Sequence, residues 1–518
     1  MFTLVVMERP QNASLAMWSS QVNPANSYIM SARRVYLSKS RLMSARQCLK
    51  RLHLEAHRPE LVVHSAATES AFTIGHAVGD IAQQIYGNEN AVVIPYDGDM
   101  SHALRKTARL VSEGPQYPIF EATFQHGGVL VRVDALLPDG DAWRMVEVKA
   151  STSVKDEHVF DCAAQRWVFE GLGHALTGIA LAHVDNSFVY GGEGDFEGLL
   201  TEADETESTG HILPLVPEWI TAAREALSGD EPDIGVGAQC FKPYECPFVS
   251  HCWPSEPEYP VQGLGGGKAK LGELIAEGFE DIRDVPLDRL SEKQQWIRKV
   301  TRSGKPELLS GAGKFVESLE YPRYYLDFET IAPAIPIWAG TRPYETLPIQ
   351  WSCHYEPEPG ALEHADFLNL SGYPPMRMLA ESLIRVLGNT GPVLVYTSYE
   401  KTVISGLIGR FPNLEAPLQA IVARLVDLHP PTQQFYYHPA MAGSWSLKAV
   451  LPTVAAEMKY SELDGIQEGT AASEGYLEAI HPGTSADRKE ELKEQLLRYC
   501  KFDTEGLVRL VQFLGTTN

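Results

Sequence analysis

The sequence predicts an α/β protein, and three observations support this prediction. Strand-like and helix-like segments alternate along residues 32–260 and 319–518, which is typical of sheets covered by helices. The composition is globular, with 44% hydrophobic and 21% charged residues over a length of 518. No run approaches the roughly 18–20 uninterrupted apolar residues of a spanning helix. The first residues also lack the basic and apolar regions of a signal peptide, which predicts a cytoplasmic protein with no membrane partner.

The length predicts about three domains at roughly 150 residues each. We expect a flexible tail over 1–31, an α/β domain over 32–260, a helical linker module over 261–318 and a second α/β domain over 319–518. Glycine and proline interrupt the linker module repeatedly. It is either a connection between domains or a module that contacts phosphates through helix N-termini.

In the first α/β stretch the predicted elements follow one another in a simple order. They are a helical run at 36–57, a helix at 73–87, strands at 118–125, 129–137 and 143–151, a helix at 161–173 and an apolar segment at 177–185. Turn residues of hairpins separate the three strands. An acidic insert is expected over 190–235.

The second α/β stretch opens with a strand and closes with a long helix. Its predicted elements are strands at 323–331, 349–356 and 361–370, a helix at 375–388, a buried strand at 392–398 and a helix at 492–515. This order predicts a mixed sheet covered by helices.

The charge is unevenly distributed along the chain. The net charge of −23 argues against a general nucleic-acid binder, because phosphates attract cations. Residues 1–60 nevertheless hold nine Lys and Arg against three Asp and Glu. Residues 190–235 hold twelve acidic residues and one Arg, which is nearly half of the net charge. A basic groove elsewhere is therefore not excluded.

A first group of chemically active residues lies in the N-terminal stretch. Asp134 is expected at the end of a strand, and Glu147 and Lys149 are two residues apart, so that both point to one face of the next strand. Two carboxylates can hold a divalent metal, which activates water, while Lys149 orients or stabilises the nucleophile. The same pattern also occurs in a solvated hairpin.

Further candidates flank this group. His76 on the upstream helix is a candidate metal ligand, Gln165 on the following helix is a candidate for positioning substrate or water, and Glu121 is another acid. The ordered set resembles the RecB-like branch of the PD-(D/E)XK nucleases, except that Phe169 stands where that branch has tyrosine. The resemblance implies a restriction-endonuclease-like fold and a catalytic Mg²⁺ or Mn²⁺.

Seven cysteines, an odd and sparse number, do not form a disulfide framework. Cys240, Cys246 and Cys252 recur at intervals of six, which indicates a soft-metal site. Three interpretations are open: a zinc site completed by His251, a group of free structural thiols, or a site completed by the distant Cys48.

The last interpretation rests on a resemblance over residues 34–256. Iron–sulfur RecB-like nucleases, including the CRISPR-associated exonucleases, join one N-terminal cysteine to three C-terminal ones. This implies a four-iron, four-sulfur cluster held by Cys48, Cys240, Cys246 and Cys252. Basic residues near Cys48 are then expected beside the cluster as docking points for phosphates: Lys39, Arg41, Arg46, Lys50 and Arg51.

A second acidic group lies in the C-terminal stretch. Asp327 and Glu329 share one face of the opening strand, Glu400 follows a later strand, and Tyr499 and Asp503 share a helix face. Such a set can bind two divalent metals that clamp a phosphodiester.

This order resembles the DnaQ-like, or DEDD, 3′–5′ exonucleases of the RNase H-like fold over about residues 322–516. Glu400 replaces the third aspartate of that family. Asp427 is an alternative third ligand, or a cap for the turn that follows it. Ser444, Ser446 and Lys448 are candidates for contacting a strand backbone.

We therefore expect a metal-dependent DNA nuclease or exonuclease with two sites. The expected substrate is DNA with a single-stranded end or flap, in repair, recombination or defence, with protein partners from such an operon. One alternative is a DNA-end-binding module that carries a structural or redox-sensing cluster. Another leaves only one of the two sites active.

Overall fold

The computed structural model describes residues 37–96, 98–253, 257–266 and 268–517. From Leu37 onward the chain forms one compact unit. The predicted tail over 1–31 lies outside the described residues. No helix in the described part is long and apolar enough to cross a membrane.

The described residues form three sheets and the helices around them, which confirms the α/β class. The strands are β1 (Leu37–Ser38), β2 (Val92–Val93), β3 (Ile119–His126), β4 (Val129–Asp139), β5 (Ala142–Lys149), β6 (Leu176–Val184), β7 (Leu200–Asp204), β8 (Glu307–Leu308), β9 (Arg323–Ile331), β10 (Leu347–Glu356), β11 (Glu363–Leu368), β12 (Val393–Val395), β13 (Leu425–Asp427) and β14 (Tyr436–Tyr437). The helices are α1 (Lys39–Gln47), α2 (Leu49–His57), α3 (Ala66–Tyr86), α4 (Met100–Ser112), α5 (Asp156–Gly171), α6 (Thr206–Ile212), α7 (Val216–Ser228), α8 (Val249–Cys252), α9 (Lys268–Ala276), α10 (Glu292–Ser303), α11 (Gly311–Glu317), α12 (Met376–Leu387), α13 (Tyr399–Arg410), α14 (Glu415–Val422), α15 (His429–Phe435), α16 (Leu447–Val454), α17 (Gly469–Ile480) and α18 (Ala486–Leu514).

The N-terminal sheet has the order β2-β3-β4-β5-β6-β7, with β1 added in parallel to β4. Strands β3, β4 and β5 form an antiparallel meander, and α5 connects β5 to the parallel β6. The turn between β3 and β4 contains Gly127 and Gly128, whose φ angles of 52° and 76° favour glycine. The predicted strands of this stretch are confirmed.

Two expectations for this stretch were wrong. The helical run at 36–57 is two helices, because Cys48 is extended (φ −164°, ψ 123°) between α1 and α2. The acidic segment 190–235 is not an insert, since it supplies the edge strand β7 and helix α7. Val216, Ile220 and Ala223 of α7 are buried in the main core at helical spacing, while its charges face outward.

The C-terminal sheet has the order β11-β10-β9-β12-β13. Antiparallel pairing of β9 with β10 sets Asp327 opposite Ser352 and Glu329 opposite Gln350, and β12 lies parallel to β9 on the other side. Helix α18 packs over β9 and β10. Residues of α18, near the C-terminus, therefore lie next to β9, the first strand of this stretch.

The segment 261–318 packs against the C-terminal part of the chain. Val261, Leu274 and Ile297 are buried in one cluster with Leu507 and Leu510 of α18. Strand β8 also pairs with β14 in a separate two-stranded sheet. The predicted domain boundaries themselves stay predictions.

Candidate functional site

The N-terminal candidate site is built on β4, β5 and α5. Alternation along β5 turns Glu147 and Lys149 toward α5, whereas Val148 packs in the cluster of α3 residues on the opposite face. Asp134 lies within β4 rather than at its end. Its Oδ2 accepts a hydrogen bond from the Val148 backbone N–H at 2.8 Å, which ties the two strands at the site.

Glu147 is the centre of this site and is 1% exposed. Its Oε1 accepts from Lys39 Nζ at 2.9 Å and from Lys149 Nζ at 2.5 Å, and its Oε2 accepts from Gln165 Nε2 at 2.6 Å. Lys149 Nζ also donates to Asp161 Oδ2 at 2.7 Å. Two acids, two lysines and Gln165 therefore form one hydrogen-bonded network.

The two predicted carboxylates of this site have opposite electrostatics. Burial opposes the ionisation of Glu147, but Lys149 and Lys39 outweigh it and hold the pKa of this carboxyl well below its usual range. Burial, together with the charge on Glu147, raises the pKa of Asp134 to about 8. At neutral pH Glu147 is ionised, and Asp134 carries a proton for much of the time.

Sequence reasoning missed two members of the network, Lys39 and Asp161, and the neighbouring His158. Lys39 was expected beside Cys48 but binds Glu147. Asp161 and His158 lie four and seven positions before Gln165, so α5 presents all three from one face. Burial, followed by Lys149, lowers the pKa of His158 to about 4. The helical spacing between Gln165 and the two residues before it on α5 could have identified Asp161 and His158 from the sequence.

The other basic residues expected to dock phosphates are engaged within the protein. The Arg46 guanidinium lies 3.8 Å from the ring centroids of both Phe160 and Trp219. Lys50 pairs with Glu231 at 2.9 Å and Arg51 with Glu55 at 2.8 Å.

Two further N-terminal candidates lie apart from Glu147. His76 is exposed on α3, and among the described residues it belongs to no group of three ligand atoms within 4.8 Å of one another. Phe169 is fully buried and packs edge-to-face on Phe124, with ring centroids 5.1 Å apart. The position where the resembling family has tyrosine is thus a core position. Glu121 instead pairs with Arg132 at 3.1 Å.

The four predicted cysteines come from two segments, the break at Cys48 and residues 240–252, and lie close together. Cys48 stands in the break between α1 and α2, and the adjacent Gln47 amide donates to the Gln239 and Tyr244 carbonyls at 2.7 Å each. Burial raises the pKa of the Cys240 thiol, and the charge on Cys48 raises it further.

The remaining two cysteines share this environment. Burial, with added repulsion from the Cys240 and Cys48 thiolates, raises the pKa of Cys246 to about 11. Burial also raises the pKa of Cys252, with the same two thiolates contributing. All four thiols are free.

The local zinc interpretation has less support from the geometry. His251 Nε2 lies 3.5 Å from Glu231 Oε1. In the described part of the chain, no three of these sulfur and imidazole ligand atoms lie within 4.8 Å of one another. These sulfur and imidazole atoms are therefore spread more widely than the ligands of one zinc ion.

The C-terminal candidate site is formed by β9 and α18. Asp327 and Glu329 point from one face of β9 toward α18, which brings Cys500 to them. Ligand atoms of these three side chains all lie within 4.8 Å of one another, and they are the only such group among the described residues. Glu329 is buried and Asp327 is half-buried.

Burial and repulsion among acids raise the pKa values at this site. Burial, followed by the charges on Asp503, Glu329 and Glu400, raises the pKa of Asp327 well above its usual range. Burial and then Asp503 do the same for Glu329, and Lys448 counteracts them only in part. The predicted acids therefore lie close together, and Lys448 offsets their mutual repulsion only in part.

Asp503 and Tyr499 lie on one buried face of α18, as predicted. The Tyr460 hydroxyl donates to Asp503 Oδ1, a contact that sequence reasoning missed. Burial raises the pKa of Asp503 to about 6 although this hydrogen bond lowers it. Burial, followed by Asp503 and Glu329, raises the pKa of the Tyr499 hydroxyl.

Glu400 is 2% exposed in the first turn of α13. Its Oε2 has no hydrogen-bond partner among the described residues. Asp427 Oδ1 instead accepts from the Thr397 and His429 backbone N–H groups at 2.8 Å each, which is the role of a turn cap.

The segment 444–448 lies beside these acids. Ser446 caps α16 by accepting from the Ala449 N–H, and Ser444 hydrogen-bonds Ser446. Lys448 Nζ donates to the Gln467 carbonyl at 3.0 Å and lies 5.3 Å from the Tyr460 ring centroid. Lys448 is the cation that lowers the pKa values of Glu329 and Asp503.

Comparison with known proteins adds one match within the C-terminal stretch. Residues 324–446 match a family model described as "Domain of unknown function (DUF2779)". The matched span includes Asp327, Glu329, Glu400 and Asp427. No curated protein matches the chain. A solved structure titled "Crystal structure of SSO0001" is similar at 14% sequence identity and a TM-score of 0.21, covering 38% of this chain and 78% of that one.

Proposed function

We propose that this chain is a metal-dependent DNA nuclease with two sites for phosphodiester hydrolysis. The observation that carries the proposal is the convergence of Asp327, Glu329 and Asp503 from β9 and α18, with buried Glu400 beside them. Buried acids that repel one another destabilise the chain unless they bind cations or protons, and they are typical of functional sites.

At the C-terminal site, Mg²⁺ or Mn²⁺ would neutralise charge on the phosphodiester and activate water. Asp327 and Glu329 would hold the metal from β9, with Asp503 and Glu400 completing the set. Tyr460 fixes one oxygen of Asp503, which leaves the other for a ligand role. The ammonium of Lys448 is available to attract a phosphate. This composition supports an RNase H-like, DnaQ-like exonuclease.

At the N-terminal site, Asp134 and Glu147 would hold the metal, and Lys149 would orient the nucleophile. Gln165 fixes Glu147 Oε2. The antiparallel meander followed by α5 and a parallel strand supports a restriction-endonuclease-like, PD-(D/E)XK domain.

The four cysteines would hold a four-iron, four-sulfur cluster, Cys48 from the break between two helices and the others from the 240–252 segment. Their thiols lie close enough to affect one another's ionisation. Since hydrolysis needs no electron transfer, we assign the cluster a structural role, joining the two ends of the N-terminal stretch.

The test is digestion of single-stranded and flapped DNA labelled at either end. Asp327→Asn should remove one cleavage pattern and Lys149→Ala another, each by orders of magnitude. Asp487→Asn, an exposed acid in the first turn of α18, is the matched control and should cut like the wild type. Cleavage at wild-type rates by both site variants in Mg²⁺ and in Mn²⁺ would refute the proposal.

A second candidate function is a nuclease in which only the C-terminal site cuts. Lys39 and Lys149 both bind Glu147 Oε1, and these ion pairs compete with a metal for the same oxygen. In that case Lys149→Ala would leave every product unchanged while Asp327→Asn abolishes them all. The N-terminal part would then act in binding DNA ends, and protein partners from a repair or defence operon remain a prediction in either case.

A further inference from the structure

The C-terminal site contains a thiol that the resembling exonuclease motif does not require. Cys500 follows Tyr499 on α18 and precedes Asp503 by three positions, so it shares a helix face with Asp503. It is fully buried. Its Sγ lies 3.8 Å from Asp327 Oδ2.

The spacing of these atoms matches ligands of one ion. A sulfur at about 2.3 Å and an oxygen at about 2.1 Å from a tetrahedral ion lie roughly 3.6 Å apart. The observed separation of 3.8 Å between Cys500 Sγ and Asp327 Oδ2 is close to this value. A carboxylate oxygen of Glu329 completes the group, and the three ligand atoms all lie within 4.8 Å of one another.

A second observation points to a ligand at the same place. Glu400 is 2% exposed, and its Oε2 has no hydrogen-bond partner among the described residues. The charge on Glu400 contributes to the raised pKa of Asp327, so the two carboxyl groups lie near one another. A buried oxygen without a donor is costly, and a cation would satisfy it.

We propose that Cys500 is a ligand of the metal at the C-terminal site, together with Asp327 and Glu329. This rests on the metal site of the proposed function and specifies its ion. Thiolate ligands favour softer ions. The site should therefore prefer Co²⁺, Zn²⁺ or Cd²⁺ strongly over Mg²⁺, and Mn²⁺ less strongly over Mg²⁺. On binding, the thiol loses its proton to solvent and a metal–sulfur bond forms.

The test is Co²⁺ titration of the full chain, followed by the near-ultraviolet charge-transfer absorption of a cobalt–thiolate bond. The wild type should show an absorption band that disappears when a chelator removes Co²⁺. Cys500→Ser and Asp327→Asn should lack this band. Cys353→Ser is the matched control, because Cys353 is equally buried on β10 but packs in the apolar core. The four clustered cysteines contribute equally in all of these proteins, so the difference spectra isolate Cys500.

The variant should also change ion preference. Loss of a residue that hydrogen-bonds a metal ligand lowers metal affinity by roughly 10–100-fold. Loss of Cys500, a direct ligand, should weaken Co²⁺ binding by at least as much, while Mg²⁺ affinity changes little. If serine is not tolerated, Cys500→Ala gives the same comparison without burying a hydroxyl. Folding of each variant is checked by circular dichroism.

The outcomes separate this inference from the proposed function. Equal bands and equal ion preferences in wild type and Cys500→Ser would overturn the assignment of Cys500, even if the protein cuts DNA. A Cys500-dependent band in a protein that cuts no DNA with any metal would support the assignment and overturn the nuclease.

Discussion

The stability of the metal-free protein should depend on pH through Glu400, and Glu400→Gln should remove that part of the dependence. Glu400 is 2% exposed, and its Oε2 lacks a hydrogen-bond partner among the described residues. Burial, with a smaller contribution from Asp427, raises the pKa of this carboxyl from 4.5 to about 8. Between these two values the folded chain retains a proton that the unfolded chain releases.

The sign and the size follow from linkage. An acid with a raised folded-state pKa contributes stability below its unfolded pKa and loses that contribution as the pH rises through its folded pKa. One pKa unit corresponds to about 1.4 kcal/mol. Between about pH 5 and about pH 8 the contribution of Glu400 should therefore fall by roughly 3 kcal/mol. Glutamine has nearly the same size and does not titrate in this range.

The assay is urea unfolding followed by tryptophan fluorescence, in chelator, at both ends of this pH range. The free energy of unfolding of Glu400→Gln relative to wild type should rise by about 3 kcal/mol from acid to alkaline pH. The other acids titrate in both proteins, so their contributions largely cancel in the difference between the two free energies of unfolding. Glu415→Gln, an exposed glutamate in the first turn of α14, should follow the wild type. Parallel curves for wild type and Glu400→Gln would show that Glu400 ionises as it does in water, and would refute its burial among the acids.

Three other perturbations test separate contacts. Lys39→Ala should lower the free energy of unfolding by about 3 kcal/mol, because it removes one of two cations from buried Glu147; unchanged urea unfolding would contradict this. Anaerobically purified wild type should contain about four irons per chain, and Cys48→Ala should lose iron as completely as Cys246→Ala; stoichiometric zinc without iron would contradict the cluster. Asp427→Ala should cost about 1–2 kcal/mol, because two backbone N–H groups lose their acceptor, and should keep metal-dependent cleavage; abolished cleavage there, with an active alanine variant at Glu400, would make Asp427 the third acid.

Patterns within one element were predictable because local geometry fixes them. The period of two along a strand sets Asp327 and Glu329 on one face, and the helical period does the same for Tyr499 and Asp503. Interpretation of these spacings required no knowledge of the rest of the chain. The long strand β9 followed from the same kind of pattern.

Contacts between distant elements were not predictable in this way. Lys39 reaches Glu147 across 108 positions, and Tyr460 reaches Asp503 across 43. A lysine in the first turn of a helix and a tyrosine in a short 3-10 helix have no local signature that identifies their partners. The break at Cys48 was missed for a related reason, since the surrounding residues favour a helix and tertiary packing overrides that preference.

The two acidic sites should differ in the groups that a metal must displace when it binds. At the N-terminal site a metal must displace the ammonium groups of Lys39 or Lys149 from Glu147, whose pKa is held well below its usual range, and it must release the proton of Asp134, whose pKa is about 8. At the C-terminal site Asp503, with a pKa of about 6, and Glu400, with a pKa of about 8, carry protons that a metal must release. Mn²⁺ affinity at the C-terminal site should therefore rise between about pH 6 and about pH 8, with proton release that calorimetry in buffers of different ionisation enthalpy measures. Asp327→Asn should abolish the part of the proton release that belongs to the C-terminal site, and Lys149→Ala should leave that part intact. The reverse result would place the released protons at the N-terminal site instead.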